Sequence, residues 1–502
     1  MWRSILITIP FLLFQDTGNY RQIFGKTGRI PFMSKDATEK LNSRGTARSH
    51  RPTGNKFVKY IGSNWAPDNS KLPAQDKVAP FANKRREAVA KAFQGKVLVI
   101  PSGGEITRSN DTAYRFRAHS AFAHLTGWGS ATVPDSVLVI DARGKTAKSV
   151  LYFRETAGKN TDEFFANSAI GEFWVGSRPG LKHVAALLGI PTKSLAKFET
   201  DLKAINAKQV LTLEKSTALV EFVSELRLIK DSYEIKEMQK SIDASVLGFE
   251  AVVKNLKAAT KHPRGERIVE GAFFAQARAE GNDLGYETIA AAGNHACTLH
   301  WIINNGPVKP GELLLLDAGV EVDSLYTADI TRTLPINGKF SKIQKEIYQA
   351  VLDAADAVFA MAKPGVTYSE MHKTAMRVIA QRTAEWGFYK GGYEESLKPE
   401  NQWHRRYMIH GTGHHLGLDV HDCAQARREM YHDKALEEGM IFTIEPGLYF
   451  HKDDLTVPKE FRGIGVRIED DVLVTKNGVR NLSAALPREP KAIEAWMKKL
   501  QA

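Results

Sequence analysis

The run Glu312-Leu313-Leu314-Leu315-Leu316-Asp317-Ala318-Gly319 ends an apolar stretch on an acid, and Ala328-Asp329-Ile330-Thr331-Arg332-Thr333-Leu334 opens a β-branched stretch with another. Read as the two strands of a hairpin, they bring both carboxylates to one face. The pattern recurs twice. Gly439-Met440-Ile441-Phe442-Thr443-Ile444 ends on Glu445, and Gly463-Ile464-Gly465-Val466-Arg467-Ile468 ends on Glu469. A carboxylate buried in a strand is costly unless it is paired or bound to metal. With His414, the candidate ligands are Asp317, Asp329, His414, Glu445 and Glu469. Four oxygen donors and one nitrogen suit a hard or borderline divalent ion such as Mn²⁺, while the paired cysteines of structural zinc are missing. The expected cofactor is two divalent ions about 3.5 Å apart, sharing carboxylates and a hydroxide that serves as nucleophile in metal-assisted hydrolysis.

The segment His410-Gly411-Thr412-Gly413-His414-His415-Leu416-Gly417-Leu418-Asp419-Val420-His421-Asp422 concentrates four of the chain's 15 histidines. Its glycines let backbone pass close to a substrate or metal. One histidine is expected to bind metal and others to donate hydrogen bonds or move protons. His415, adjacent to His414, is expected to point elsewhere. Upstream, Ala292-Gly293-Asn294-His295-Ala296-Cys297-Thr298-Leu299-His300-Trp301 offers further histidines, of which His295 reads as structural.

Around these motifs the chain divides into three parts. Residues 1–75 form a basic leader, rich in Ser, Asn, Gly, Lys and Arg from 34 onward and expected to be disordered. Residues 76–225 alternate a helix (Lys84 to Phe93) with strand-like Lys96–Pro101, Ser136–Ile140 and Val150–Phe153, an α/β domain. In 226–502, Ile235, Met238, Ile242, Val246 and Phe249 make one apolar helix face. Ser341 reads as the N-cap of a second long helix, and a third lies between Thr367 and Trp386. With the antiparallel strands, this part reads as α+β.

Composition narrows the partners. A content of 43% hydrophobic and 25% charged residues over 502 positions is that of a soluble globular protein of two or three domains. The formal charge of +12 invites a nucleic-acid reading, but residues 1–60 hold 11 Lys/Arg against 3 Asp/Glu, so most of the excess belongs to the leader. No aromatic-basic interleaving or groove-reading motif accompanies it, and no specific nucleic-acid partner is expected. Two cysteines, Cys297 and Cys423, form no disulfide framework and fit a reducing compartment. Ile5 to Phe14 is a short signal-like apolar run without a small-x-small cleavage site, too short to span a bilayer. A start at Met33, a cytoplasmic location and no membrane span are expected.

The segments Leu316–Gly319, Ala328–Thr333, the 410–422 run, Thr443-Ile444-Glu445-Pro446-Gly447-Leu448-Tyr449 and Gly465-Val466-Arg467-Ile468-Glu469-Asp470-Asp471 together resemble those of pita-bread metallopeptidases. Within that group they are most similar to the Xaa-Pro aminopeptidase (aminopeptidase P) family. Ile106–Asp111 and Phe122–Trp128 resemble its N-terminal domain, so the likeness covers roughly residues 80–490. The resemblance implies a C-terminal pita-bread catalytic domain behind a smaller α/β domain. It assigns Asp317 to one metal, His414 and Glu445 to the other, and Asp329 and Glu469 to both. His300, His410 and His421 would line the substrate site, with His410 and His421 near the scissile peptide or proline side. Arg467 would orient the bridging carboxylate. The implied reaction removes the first residue from peptides with proline second, a bond whose missing N–H and rigid ring defeat strand-binding proteases; a homo-oligomer is implied too. Prolidase is the nearest rival, and a catalytically inactive pita-bread binding protein is the alternative outside enzymes. The absence of His-Glu-x-x-His and of a nucleophile elbow argues against zinc endopeptidases and serine hydrolases.

Overall fold

The computed structural model describes residues 54–67, 71–110 and 112–502. The signal-like run, Met33 and most of the leader lie outside them. Within the leader, Asn55–Ile61 is a helix (α1), which departs from the expectation of disorder through residue 75. Phe57 meets Phe165 edge-on with ring centroids 5.4 Å apart, and Trp65 meets Phe164 likewise at 5.7 Å. Two aromatic residues in a polar stretch carry no periodic signal; the surface they touch orders them.

Helix α2 (Ala79–Ala92) begins earlier than the expected Lys84, and Pro80 suits its first turn, where an amide N–H has no partner to lose. The strands that follow are β1 (Val97–Pro101), β2 (Val137–Asp141), β3 (Lys148–Phe153), β4 (Thr192–Ser194) and β5 (Val210–Thr212). They form one mixed sheet in the order β4-β3-β2-β1-β5. β1 pairs antiparallel with β2 and parallel with β5. Val97, Leu98, Val99 and Ile100 are all shielded from solvent, as an unbroken apolar run in a strand covered on both faces requires.

The second half opens with α3 (Ser232–Ala259), whose Asp231 and Glu234 form a reciprocal capping box. Met238, Ile242 and Phe249 of its apolar face are fully buried. Phe249 meets Phe273 of α4 (Gly265–Glu280) edge-on at 5.9 Å. Strands β6 (Ile289–Ala292), β7 (Leu313–Ala318) and β8 (Ile330–Pro335) make an antiparallel sheet in the order β8-β7-β6. Helices α5 (Lys342–Met361) and α6 (Tyr368–Glu385) start at capping boxes built on Ser341 and Thr367. A second antiparallel sheet joins β9 (Ile441–Ile444), β12 (Asp470–Thr475) and β13 (Gly478–Asn481), and β10 (Gly447–Phe450) pairs with β11 (Ile464–Arg467). Helices flanking antiparallel strands give the expected α+β arrangement.

One buried cation joins the two sheets. Arg332, 1% exposed in β8, donates to the carbonyls of Thr331 (3.0 Å), Glu469 (2.7 Å), Leu486 (3.1 Å) and Pro487 (3.0 Å), and to the Asp470 carboxylate at 2.6 Å. Asp470 is itself fully buried; without Arg332 it keeps Arg488 at 3.0 Å and the Ser483 hydroxyl at 2.7 Å but loses its buried cation, and the Glu469, Leu486 and Pro487 carbonyls lose that donor. Arg332→Ala is expected to lower unfolding stability by about 3–5 kcal/mol in denaturant titration, the usual result of breaking a buried pair from one side. A loss below about 1 kcal/mol, the scale of an exposed ion pair, would show that this junction is not structural.

Candidate active site

All nine residues singled out by sequence line one cavity of about 1020 Å³. Strand register explains how the carboxylates converge. Asp317 pairs with Thr331, so Asp329, two residues before Thr331, lies diagonally across on the same face. The Tyr286 hydroxyl reaches both, at 2.6 Å from Asp317 Oδ1 and 2.5 Å from Asp329 Oδ1. In the other sheet Ile444 opposes Asp470, which sets Glu445 beside Glu469 just past that pair. His414 arrives on a segment that runs along β9, the Glu445 N–H donating to Thr412 O at 2.7 Å and the Thr443 N–H to His414 O at 2.9 Å. A Cβ on Gly413 would overlap the Thr443 carbonyl oxygen, so only glycine permits this approach.

His414 Nε2 then stands 3.1 Å from Asp329 Oδ2, 3.7 Å from Glu445 Oε1 and 4.0 Å from Glu469 Oε1. Asp329, His414 and Glu469 each offer a ligand atom within 4.8 Å of the others. Electrostatics shows what this cage lacks. Burial raises the Asp329 pKa, and the Asp317 charge raises it further. Burial likewise lifts Glu445 to about 7, with Asp329 and Asp317 adding to the rise, while burial and the neighbouring carboxylates push Glu469 well above its ordinary range. For His414, burial opposes the charged ring, but Asp329 and Glu445 prevail and hold it at about 9. The anions resist ionising together and collect protons instead. Divalent cations would resolve that repulsion, and an oxygen-rich set with one imidazole fits them.

Beside the cage, Arg467 donates to Asp317 Oδ2, to Thr331 Oγ1 at 3.1 Å and to the Tyr449 hydroxyl at 3.1 Å. Its ion pair is thus with Asp317, and it reaches Glu469, which the resemblance makes a bridging carboxylate, through Thr331, whose hydroxyl donates to Glu469 Oε2 at 2.7 Å. His410 Nε2 lies 2.8 Å from the Tyr449 hydroxyl; burial, then Arg467, lowers its pKa to about 3. His421, lowered by burial and by His414, places its ring 4.4 Å from that of His414. His300 stands on the opposite part of the chain, in the segment after β6. His415 turns away from the cavity, as expected, but it is buried against Tyr368 and Tyr431, so its removal would leave a hole.

The sequence reading missed Tyr286, Thr331, Tyr449 and Asp471, whose buried carboxylate accepts the Asp329 N–H at 3.2 Å. Thr331, Tyr449 and Asp471 sit inside the quoted motifs, and a polar side chain at an inward strand position was the available signal. Tyr286 lies in an irregular stretch before β6, where nothing marks it.

Comparison with known proteins fixes the class. Residues 236–476 match the model of metallopeptidase family M24, and residues 82–212 match that of the aminopeptidase P N-terminal domain. The chain belongs to metallopeptidase family M24. Xaa-Pro aminopeptidase 1 of Streptomyces coelicolor is 45% identical over 491 residues, covering 94% of this chain and 98% of that protein. Xaa-Pro aminopeptidase 3 of Homo sapiens is 33% identical, with 82% of each chain covered. Escherichia coli aminopeptidase P solved with the inhibitor Pro-Leu superposes with a TM-score of 0.74 at 28% identity, covering 85% of this chain and 100% of that one. The same scores and coverage hold for the zinc-substituted E. coli enzyme in complex with product. The fold is therefore the pita-bread fold behind an aminopeptidase P N-terminal domain.

Chelation is expected to abolish peptidase activity and Mn²⁺ to restore it, with Glu469→Ala losing on dialysis metal that the unsubstituted protein keeps, as read by mass spectrometry of bound metal. Full turnover in exhaustive chelator, or equal retention by the variant, would contradict a metal-dependent cage.

Proposed function

We propose that this protein is a metal-dependent Xaa-Pro aminopeptidase. The convergence of the five candidate ligands, three histidines and Arg467 on a single cavity carries this reading, and the relatives' extent over both halves of the chain supports it. The substrates are peptides with proline in second place. Two divalent ions, Mn²⁺ by the hardness of the donor set, would be held by these residues, with Asp317 serving one, His414 and Glu445 the other, and Asp329 and Glu469 both. Residues 76–225 and 226–502 serve as the N-terminal and catalytic domains. A homo-oligomer is proposed by family likeness. A cytoplasmic location agrees with Cys297 and Cys423 being free and buried. No helix among the described residues is long and apolar enough to cross a membrane.

When bound, such ions polarise the scissile carbonyl and make water a nucleophile near neutral pH. The chain's own groups do the rest. His410 and His421, both depressed by burial, are neutral at neutral pH, so each can donate one N–H to the scissile group or accept a proton. Tyr449 hydrogen-bonds His410 and links it to Arg467, whose charge adds to burial in keeping that imidazole from protonating. Arg467 in turn holds Asp317 in place. The apolar side chains of Ile289, Leu299 and Val420 on the cavity wall suit a proline ring and its neighbours.

The Mn²⁺-loaded protein is expected to cleave an Xaa-Pro-Xaa tripeptide; cleavage confined to the Xaa-Pro dipeptide would make it a prolidase. Replacing His410 or His421 by alanine is expected to slow tripeptide turnover by about 10²-fold or more while metal content survives. Metal loss in either variant, or near-normal rates in both, would show that these histidines have been given the wrong roles.

A further inference from the structure

The cavity wall that carries His300 is suspended from one buried carboxylate. Glu266, in the first turn of α4, is fully shielded from solvent. Its Oε1 accepts the Ala292 N–H at 2.8 Å and faces His295 Nδ1 at 2.8 Å; its Oε2 accepts the Trp301 indole N–H at 3.0 Å and the Gly306 N–H at 2.6 Å. Both ends of the segment 292–306 and two points between them therefore meet on one side chain. The Glu266 N–H returns a bond to Gly306 O at 3.1 Å, so that end is tied twice. His295 stacks on Trp301 with ring centroids 3.9 Å apart, and a Cβ on Gly306 would come within 2.6 Å of the His295 ring. Leu299, His300 and Ile302, which line the cavity, hang between these anchors. The His300 carbonyl accepts the Ile302 N–H at 3.1 Å, so backbone placement sets where its imidazole stands.

We infer that Glu266 is a positioning residue for the reaction: by gathering four donors from segment 292–306 it holds His300 in register with the metal cage across the cavity. His295, which reads from sequence as a structural histidine, is part of that device. The inference rests on the proposed placement of His300 at the substrate.

The chemistry demands a carboxylate. Ala292, Trp301 and Gly306 present fixed N–H donors that cannot reverse, and both Glu266 oxygens face at least one of them. A glutamine here would turn an NH₂ group against a fixed donor whichever way it flips, pushing the segment outward. Glu266 does not line the cavity, and none of its four partners is a candidate metal ligand.

The test is a double-substitution cycle on the full-length, metal-loaded protein with an Xaa-Pro-Xaa tripeptide. Glu266→Gln is expected to lower kcat/KM by about 10-fold to 10²-fold, the scale set by small misplacements of a positioned group, with bound metal unchanged. That loss is expected to vanish in the His300→Ala background, because the two substitutions then remove the same interaction. Trp301→Phe, which deletes one donor and keeps the ring, is expected to give a smaller, equally coupled loss and carries the cycle alone if Glu266→Gln does not fold. A loss of the same size with and without His300, or no loss in a folded variant, overturns the inference and marks Glu266 as structural only. If His300→Ala alone leaves kinetics untouched, the placement of His300 at the substrate fails instead, and the inference falls with it.

Discussion

Four carboxylates and an imidazole crowded into one buried cage are the constraint around which this molecule is arranged. Left to themselves the acids hold protons, as the raised pKa values of Asp329, Glu445 and Glu469 express. Such an arrangement costs stability and persists only where cations repay it. Folding must therefore impose it through rigid elements, and it does so with two short antiparallel pairings, Asp317 against Thr331 and Ile444 against Asp470. A slip of one residue in either would turn a ligand to the wrong face.

The cationic residues around the cage lock those pairings together. Arg332 ties β8 to the Glu469–Asp470 backbone, and Arg467 spans from Asp317 to Tyr449. The 410–422 run is gripped from below: Lys230 Nζ lies 2.9 Å from Asp422 Oδ2 and Arg227 Nε 3.1 Å from Asp422 Oδ1, next to His421. Arg85 reaches across from α2 to Asp231, the N-cap of α3, at 2.6 Å, and Ser120 hydrogen-bonds Asp419. The N-terminal domain thus braces the strip that carries His421 through Asp419, while the cavity itself is lined by residues from Tyr286 onward.

Much of the site was legible because its residues break a local rule. A strand interior with an acid at its end, as at Asp317 and Glu445, contradicts burial unless something compensates, and that contradiction is visible in a single sequence. Long helices with capping signals, such as those starting at Ser341 and Thr367, were equally plain. Residues that support through distance were not. Glu266 reads as an ordinary acid in a helix's first turn, and only the return of segment 292–306 makes it a hub. Tyr286 carries no pattern of its own. Helix α1 and the order of the N-terminal sheet depend on contacts between residues far apart in the chain, which periodicity cannot supply.

The most direct test of the central claim counts protons. Metal-free protein is titrated with Mn²⁺ by calorimetry at about pH 6 in two buffers of different ionisation enthalpy. With Glu445 held at about 7, His414 at about 9 and Glu469 higher than its ordinary range, the cage carries protons that metal binding must displace. The account predicts release of about two or more protons per chain as the site fills. Metal uptake with no proton release would contradict it, because the acids would then have been ionised and tolerant of one another all along.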